Sequence, residues 1–178
     1  MTYIFDDDLR ESLEDKYKII WWEFYKKTFP SLLWFKRVSS KEENIKGYDR
    51  ILCVGKHNKI ILIEEKEDKY KTGNFFLEYI SNDSTRSPGW ICKPLKAEYI
   101  AYYFINYNKH YLFDTRLLQY VWIVNNEDWK YKYGIKIVPN VDYNTLGVAV
   151  PINKVLQEVN MFGHHKSVPT QLSFVFCE

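Results

Sequence analysis

Apolar and polar positions alternate most regularly between residues 47 and 66, in the stretch GYDRILCVGKHNKIILIEEK. Residues 48–54 and 60–65 are rich in β-branched and aromatic side chains, and the polar residues 55–59 separate them. Two such runs joined by a short polar segment predict an antiparallel β-hairpin.

One register satisfies the whole predicted hairpin, because side chains alternate between the two faces of a strand. In that register the facing pairs are Asp49 and Glu64, Ile51 and Leu62, and Cys53 and Ile60. Glu64 and Lys66 then point the same way, roughly 7 Å apart along the strand. Two carboxylates and one ammonium are therefore expected together at the open end of the hairpin.

The remaining pattern predicts helices and strands in a mixed order along the chain. Apolar residues at helical spacing predict helices over about 7–28, 114–125 and 152–160. Strands are predicted at 74–80, 98–107, 110–113, 135–138 and 146–150, with polar connections at 39–46, 81–96 and 127–134. We therefore expect an α/β fold with a central mixed β-sheet flanked by helices. We expect one domain over 1–178, with its core at about 45–125 and C-terminal strands and a helix at about 135–176.

Composition narrows the class of protein without giving its function. The chain has 178 residues, 46% apolar and 18% aromatic, which is typical of a globular domain. Its formal net charge of +2 does not by itself indicate nucleic acid. No apolar run reaches the length of a membrane span, so we expect a cytoplasmic protein with no membrane partner.

The charged end of the hairpin has the composition of a divalent-metal site. Carboxylate oxygens suit Mg²⁺ or Mn²⁺, and Mg²⁺ is often held by one or two carboxylates together with substrate phosphates. Asp49 and Glu64 could supply those oxygens, and Lys66 could stabilise negative charge on a reacting phosphate. The alternative is a solvated strand end in which Glu64 to Asp68 merely face water.

Asp49, fourteen residues and then Glu64-Glu65-Lys66 resembles the motif of the PD-(D/E)XK nuclease superfamily, with Tyr48 in place of the proline. The segments FLEYISN, PGW and EYIAYYF are also similar to small phage and bacterial proteins of that superfamily. The resemblance implies a restriction-endonuclease-like fold and a Mg²⁺-dependent or Mn²⁺-dependent endonuclease, with DNA favoured over RNA. It implies that Asp49 and Glu64 bind the metal with a backbone carbonyl near Glu65, and that Lys66 assists catalysis.

Several residues outside the hairpin are further candidates. Glu78 is expected on the strand next to the Glu64 strand, where it could be an outer ligand or a second-metal ligand, or else a partly buried glutamate paired with a basic side chain. The candidates for nucleic-acid contact are Arg86, Trp90, Lys93 and Lys96. Four further basic residues could touch phosphates or could simply form a solvated face, namely Lys36, Arg37, Lys41 and Lys46. Trp90 could stack on a base or serve as a packing anchor.

Two other functional classes stay open from the sequence. One is a catalytically silent nuclease-like protein that binds nucleic acid or a partner protein, for instance a phage-encoded inhibitor. The other is a nuclease that works only as a subunit of a larger complex. A homodimer is also possible, although no residue identifies its interface.

Overall fold

A computed structural model describes residues 17–38 and 46–164 of the chain. Within these ranges the fold is α/β, with three α-helices, nine strands and one short 3₁₀ helix. The elements up to the fifth strand are α1 (Lys18–Thr28), β1 (Leu32–Arg37), β2 (Arg50–Val54), β3 (Lys59–Asp68), β4 (Asn74–Asn82) and β5 (Ser87–Pro88). The rest are β6 (Tyr99–Phe104), the 3₁₀ helix (Ile105–Tyr107), β7 (Lys109–Asp114), α2 (Thr115–Tyr133), β8 (Ile135–Pro139), β9 (Asn144–Pro151) and α3 (Ile152–His164).

Three predicted stretches lie wholly or partly outside the described residues. They are the start of the helix predicted from about residue 7, the connection predicted at 39–46, and the last part of the C-terminal region predicted to residue 176.

Contacts divide the chain into two compact units. The hairpin unit contains the described residues up to 69 together with 95–112, and the helical unit contains 70–94 and 113–164. The prediction of one domain over 1–178 stays a prediction.

A mixed five-stranded sheet of order β1-β2-β3-β6-β7 forms the centre of the hairpin unit. The β1–β2 and β2–β3 pairs are antiparallel, whereas β3 and β6 run parallel. Ile51 faces Leu62 and Cys53 faces Ile60, so the predicted hairpin register is confirmed.

Helix α1 covers one face of this sheet. Trp21 and Tyr25 are fully buried and pack with strand residues that include Leu52, Ile63 and Tyr103. The helix ends at Thr28, two residues before Pro30, as expected from a residue that cannot continue a helix. This packing makes the covered face of β2 and β3 an apolar interior into which polar side chains enter only at a cost.

The helical unit contains an antiparallel sheet of order β5-β4-β9-β8. Phe75, Leu77 and Tyr79 alternate with less buried residues along β4, and all three lie in the core. The expectation that β4 borders the Glu64 strand is wrong, because β3 pairs with β2 and β6, and β4 pairs with β5 and β9. Neighbours in sequence often pair, but here the parallel strand β6 takes the position beside β3.

Helix α2 begins as predicted but continues beyond the predicted end. The Asp114 side chain accepts a hydrogen bond from the Leu117 backbone N–H at 3.0 Å, so Asp114 is the N-cap of this helix. The connection predicted at 127–134 is wrong, because the helix runs to Tyr133. Trp129 lies two turns after Trp122 on the same side, both are buried, and this packing outweighs the polar composition of the stretch.

None of the helices in the described ranges has the length and apolar character that a membrane crossing requires.

Candidate active site

The backbone around Asp49 is held on both sides by neighbouring strands. The Asp49 N–H donates to the Ile63 carbonyl at 2.8 Å, and the Asp49 carbonyl accepts from the Val38 N–H at 2.8 Å. Gly47 precedes it with a φ of +75°, and a Cβ there would also collide with the Leu95 side chain. Glycine therefore lets the chain enter β2 tightly enough to place Asp49 at the hairpin end.

The Asp49 carboxylate lies against β3, where Glu64 and Lys66 share one face. Asp49 Oδ2 accepts a hydrogen bond from the Glu65 backbone N–H at 2.9 Å. Lys66 Nζ is 2.7 Å from Glu64 Oε1, and the two side chains are 27% and 6% exposed. Asp49, Glu64 and Lys66 are therefore brought together as the sequence predicted, and we call this side of the hairpin end the front face.

Burial and the neighbouring Glu64 raise the pKa of Asp49 on the front face. Burial is the largest cause and the negative charge of Glu64 is the next, and together they raise the Asp49 pKa from 3.8 to about 6. Lys66 and the hydrogen bond from the Glu65 N–H act in the opposite direction but do not cancel the rise. Two carboxylates thus share a confined space with one ammonium, which favours a further cation.

The carboxylates of Asp49 and Glu64 suit a six-coordinate hard cation that keeps some of its water ligands. They are too few for a site in which every ligand comes from the protein. Among residues 17–38 and 46–164 there is no group of three or more His, Cys, Asp or Glu side chains placed to hold a metal ion. Mg²⁺ and Mn²⁺ do not require one, because Mg²⁺ typically takes one or two carboxylates and completes its shell with water and phosphate oxygens. Asp49 and Glu64 supply two carboxylates, so the residues present fit such an ion.

The reverse face of the same hairpin end carries a second charged cluster, which we call the reverse-face clamp: Arg50, Glu65 and Tyr25. Arg50 Nε and Nη2 donate to Glu65 Oε1 and Oε2, each at 2.9 Å, in a bidentate pair. The Tyr25 hydroxyl donates to Glu65 Oε1 at 2.7 Å. Burial, with the Glu65 carboxylate next in effect, raises the Tyr25 pKa, so the hydroxyl remains a donor.

The side-chain carboxylate of Glu65 therefore serves the clamp, and the metal role implied for this residue rests on its backbone carbonyl. The clamp was not among the features predicted from the sequence. A signal was present, since the predicted register places Arg50 and Glu65 on one face among Leu52 and Ile63, where opposite charges must pair.

The other predicted site residues lie on separate parts of the chain. Glu78 is half-buried on β4, and its role as a ligand stays a prediction. Trp90 is only 5% exposed, which favours the packing role over stacking on a base. Arg86 and Lys93 belong to the helical unit, as does Trp90.

Lys96 is the nucleic-acid candidate that lies in the hairpin unit. Its backbone N–H donates to the carbonyl of Lys46 at 3.1 Å, and Lys46 lies three residues before Asp49. Both lysines are exposed. The structure thus joins two basic residues that the sequence named separately.

Comparison of this chain with protein-family models, curated proteins and solved structures gives no match in any of the three. The resemblance to the PD-(D/E)XK superfamily therefore rests on the residues of the hairpin and on the segments FLEYISN, PGW and EYIAYYF.

Proposed function

We propose that this chain is a metal-dependent nuclease of PD-(D/E)XK type that hydrolyses phosphodiester bonds, with DNA favoured over RNA. The observation that carries the proposal is the front face, where Lys66 contacts Glu64 at 2.7 Å and where burial and the charge of Glu64 raise the pKa of the neighbouring Asp49. A restriction-endonuclease-like fold is part of the proposal, and the mixed sheet with its parallel β3–β6 pair is compatible with it.

Asp49 and Glu64 would hold Mg²⁺ or Mn²⁺, with the backbone carbonyl of Glu65 as a further oxygen. When bound, the ion would supply Lewis-acid stabilisation of the phosphate that is attacked. Asp49 must be ionised for this, and its pKa of about 6 keeps it mostly ionised at neutral pH. The N–H of Glu65 fixes one oxygen of Asp49, leaving the other available to a ligand.

Lys66 would orient the attacking water and stabilise the negative charge that develops on the phosphate. A positioned ammonium in a partly buried site is effective because little water screens it. Lys66 is 27% exposed, so it can meet a substrate while its charge stays close to Glu64.

Affinity for nucleic acid would come from local basic residues, since the net charge is only +2. Lys46 lies three residues before Asp49, and the exposed Lys96 is its hydrogen-bonded neighbour. Both lysines could contact the backbone of a bound strand. Each such phosphate contact adds to the salt dependence of binding.

A catalytically silent protein that keeps this arrangement only for binding is the second candidate. The contact between Lys66 and Glu64, taken without Asp49, favours it, because an ion pair by itself can be a structural element. The grouping of Asp49 with that pair favours the nuclease, because a structural ion pair does not need a second carboxylate beside it.

The proposal is tested by incubating the protein with end-labelled single-stranded DNA, duplex DNA and RNA in Mg²⁺ or Mn²⁺. We expect cleavage of DNA that stops when EDTA is added. Cleavage that persists in EDTA would contradict the metal site. Absence of cleavage on all three substrates, together with undetectable Mn²⁺ binding, would favour the silent protein.

A further inference from the structure

Resting on the proposed function, we infer that Arg50 is a positioning residue: through its buried pair with Glu65 it holds the Asp49 carboxylate in its place on the front face. The inference concerns how the site is assembled. Arg50 itself lies on the reverse face and is expected to contact neither metal nor substrate.

The first step is the alternation of the two strands. Asp49 and Arg50 are consecutive, as are Glu64, Glu65 and Lys66, so each front-face residue has a covalent neighbour in the clamp. A shift of Glu65 therefore moves the adjoining backbone, and Glu64 and Lys66 move with it.

The second step is the hydrogen bond that crosses between the faces. The Glu65 N–H donates to Asp49 Oδ2 at 2.9 Å, while the Glu65 carboxylate is fixed by the two donors of Arg50 and by the hydroxyl of Tyr25. One residue thus orients Asp49 with its backbone and is itself oriented by its side chain.

The third step is the rigidity of the clamp. Arg50 is fully buried and Glu65 is 5% exposed, and the Arg50 guanidinium lies 4.8 Å from the ring centre of Phe35. The clamp therefore connects β1, β2, β3 and α1 at one point. A planar, bidentate guanidinium restricts the position of a carboxylate more closely than an ammonium would.

The experiment removes both charges together, so that no unpaired charge is left inside. The variant is Arg50→Met with Glu65→Leu, and the matched control is Lys59→Met with Glu98→Leu, which removes an exposed ion pair of 3.5 Å from the same strand. Circular dichroism first establishes that each variant is folded. Mn²⁺ affinity is then measured by calorimetry, and exchange of the residue 65 amide by NMR.

We expect the backbone amide hydrogen of residue 65 to exchange with solvent at least tenfold faster in the variant than in the wild type. The other amides of β3 serve as the internal reference for this comparison. We expect Mn²⁺ to bind at least tenfold more weakly, the usual scale for residues that orient metal ligands. The control variant should match the wild type in both measurements. A folded Arg50→Met, Glu65→Leu variant with unchanged amide exchange and unchanged Mn²⁺ affinity would overturn the inference.

If the double variant does not fold, Arg50→Lys takes its place, because it keeps the charge and loses the bidentate geometry. The same loosening of amide 65 is expected, and unchanged exchange would again overturn the inference. A wild type that binds no Mn²⁺ would contradict the nuclease proposal, and the amide measurement would still decide whether Arg50 positions Asp49.

Discussion

The two faces at the end of the β2–β3 hairpin are built from the same kinds of residue but differ in their charge balance. On the reverse face, one guanidinium meets one carboxylate in two hydrogen bonds of 2.9 Å, and Arg50 is fully buried. On the front face, Asp49 and Glu64 share the neighbourhood of a single ammonium, that of Lys66, which is partly exposed.

The difference separates a structural use of charge from a chemical one. A buried charge is costly unless a partner of opposite sign compensates for it, and the reverse-face clamp meets that condition. The front face places Asp49 and Glu64 beside the ammonium of Lys66, where burial first and the charge of Glu64 second raise the Asp49 pKa to about 6. A cation would relieve the repulsion between the two carboxylates. An arrangement that destabilises itself in this way is typical of a functional site.

Neutralising a front-face carboxylate should have the largest effect on activity. Asp49→Asn or Glu64→Gln keeps the shape of the side chain and removes the charge that would hold the metal. Cleavage should fall by at least about 1000-fold, or about 4 kcal/mol of transition-state stabilisation. Single-turnover assays measure it, with the exposed Glu98→Gln as the control, whose rate should match the wild type.

Breaking the reverse-face clamp from one side should have the largest effect on stability. Arg50→Met leaves the Glu65 carboxylate buried without its guanidinium and should lower the free energy of unfolding by about 3–5 kcal/mol. Urea denaturation measures the loss. An Arg50→Met variant within about 1 kcal/mol of the wild type would mean that the pair contributes little.

The raised pKa of Asp49 on the front face should make the stability of the folded protein depend on pH. Because the folded-state pKa of Asp49 is raised from 3.8 to about 6, the folded protein holds a proton that the unfolded chain has lost between these values. The stabilisation linked to this proton is complete below about pH 4 and is lost as the pH rises through about 6.

Asp49→Asn removes this dependence, so its stability relative to the wild type should improve by about 2 kcal/mol between pH 4 and pH 7 in EDTA. Asp83→Asn, measured below about pH 4, is the control of opposite sign. Hydrogen bonds from Asn144 lower the pKa of Asp83, so the stability of the wild type relative to that variant should increase as the pH rises toward about 4. An Asp49→Asn difference that does not change with pH would contradict the front-face electrostatics.

The local part of this comparison could be predicted from the sequence, because strand alternation and one register determine it. The hairpin and the contact between Glu64 and Lys66 depend only on residues that are near one another in sequence. The reverse-face clamp was predictable in principle from Arg50 and Glu65 on one apolar face. The contact of the Tyr25 hydroxyl with Glu65 could not be predicted, because the sequence near either residue does not show how α1 packs against β3.

Features that depend on contacts between distant parts of the chain could not be predicted from the sequence. The sequence predicted that β4 would lie beside β3, whereas β3 pairs with β6, whose first residue is more than thirty positions further along than the last of β3. The continuation of α2 to Tyr133 depends on burial of Trp129, which is set by the fold and not by the polar residues around it.

The most direct test of the front face as a nuclease site is the Lys66→Met variant, assayed in parallel for Mn²⁺ binding and for Mg²⁺-dependent cleavage of labelled DNA. The variant keeps both carboxylates, so it should still bind Mn²⁺ but cut at least about 100-fold more slowly than the wild type. Retained binding with lost cleavage would place Lys66 in the chemical step. Cleavage at the wild-type rate would contradict the account, because no catalytic role would remain for the ammonium beside Glu64.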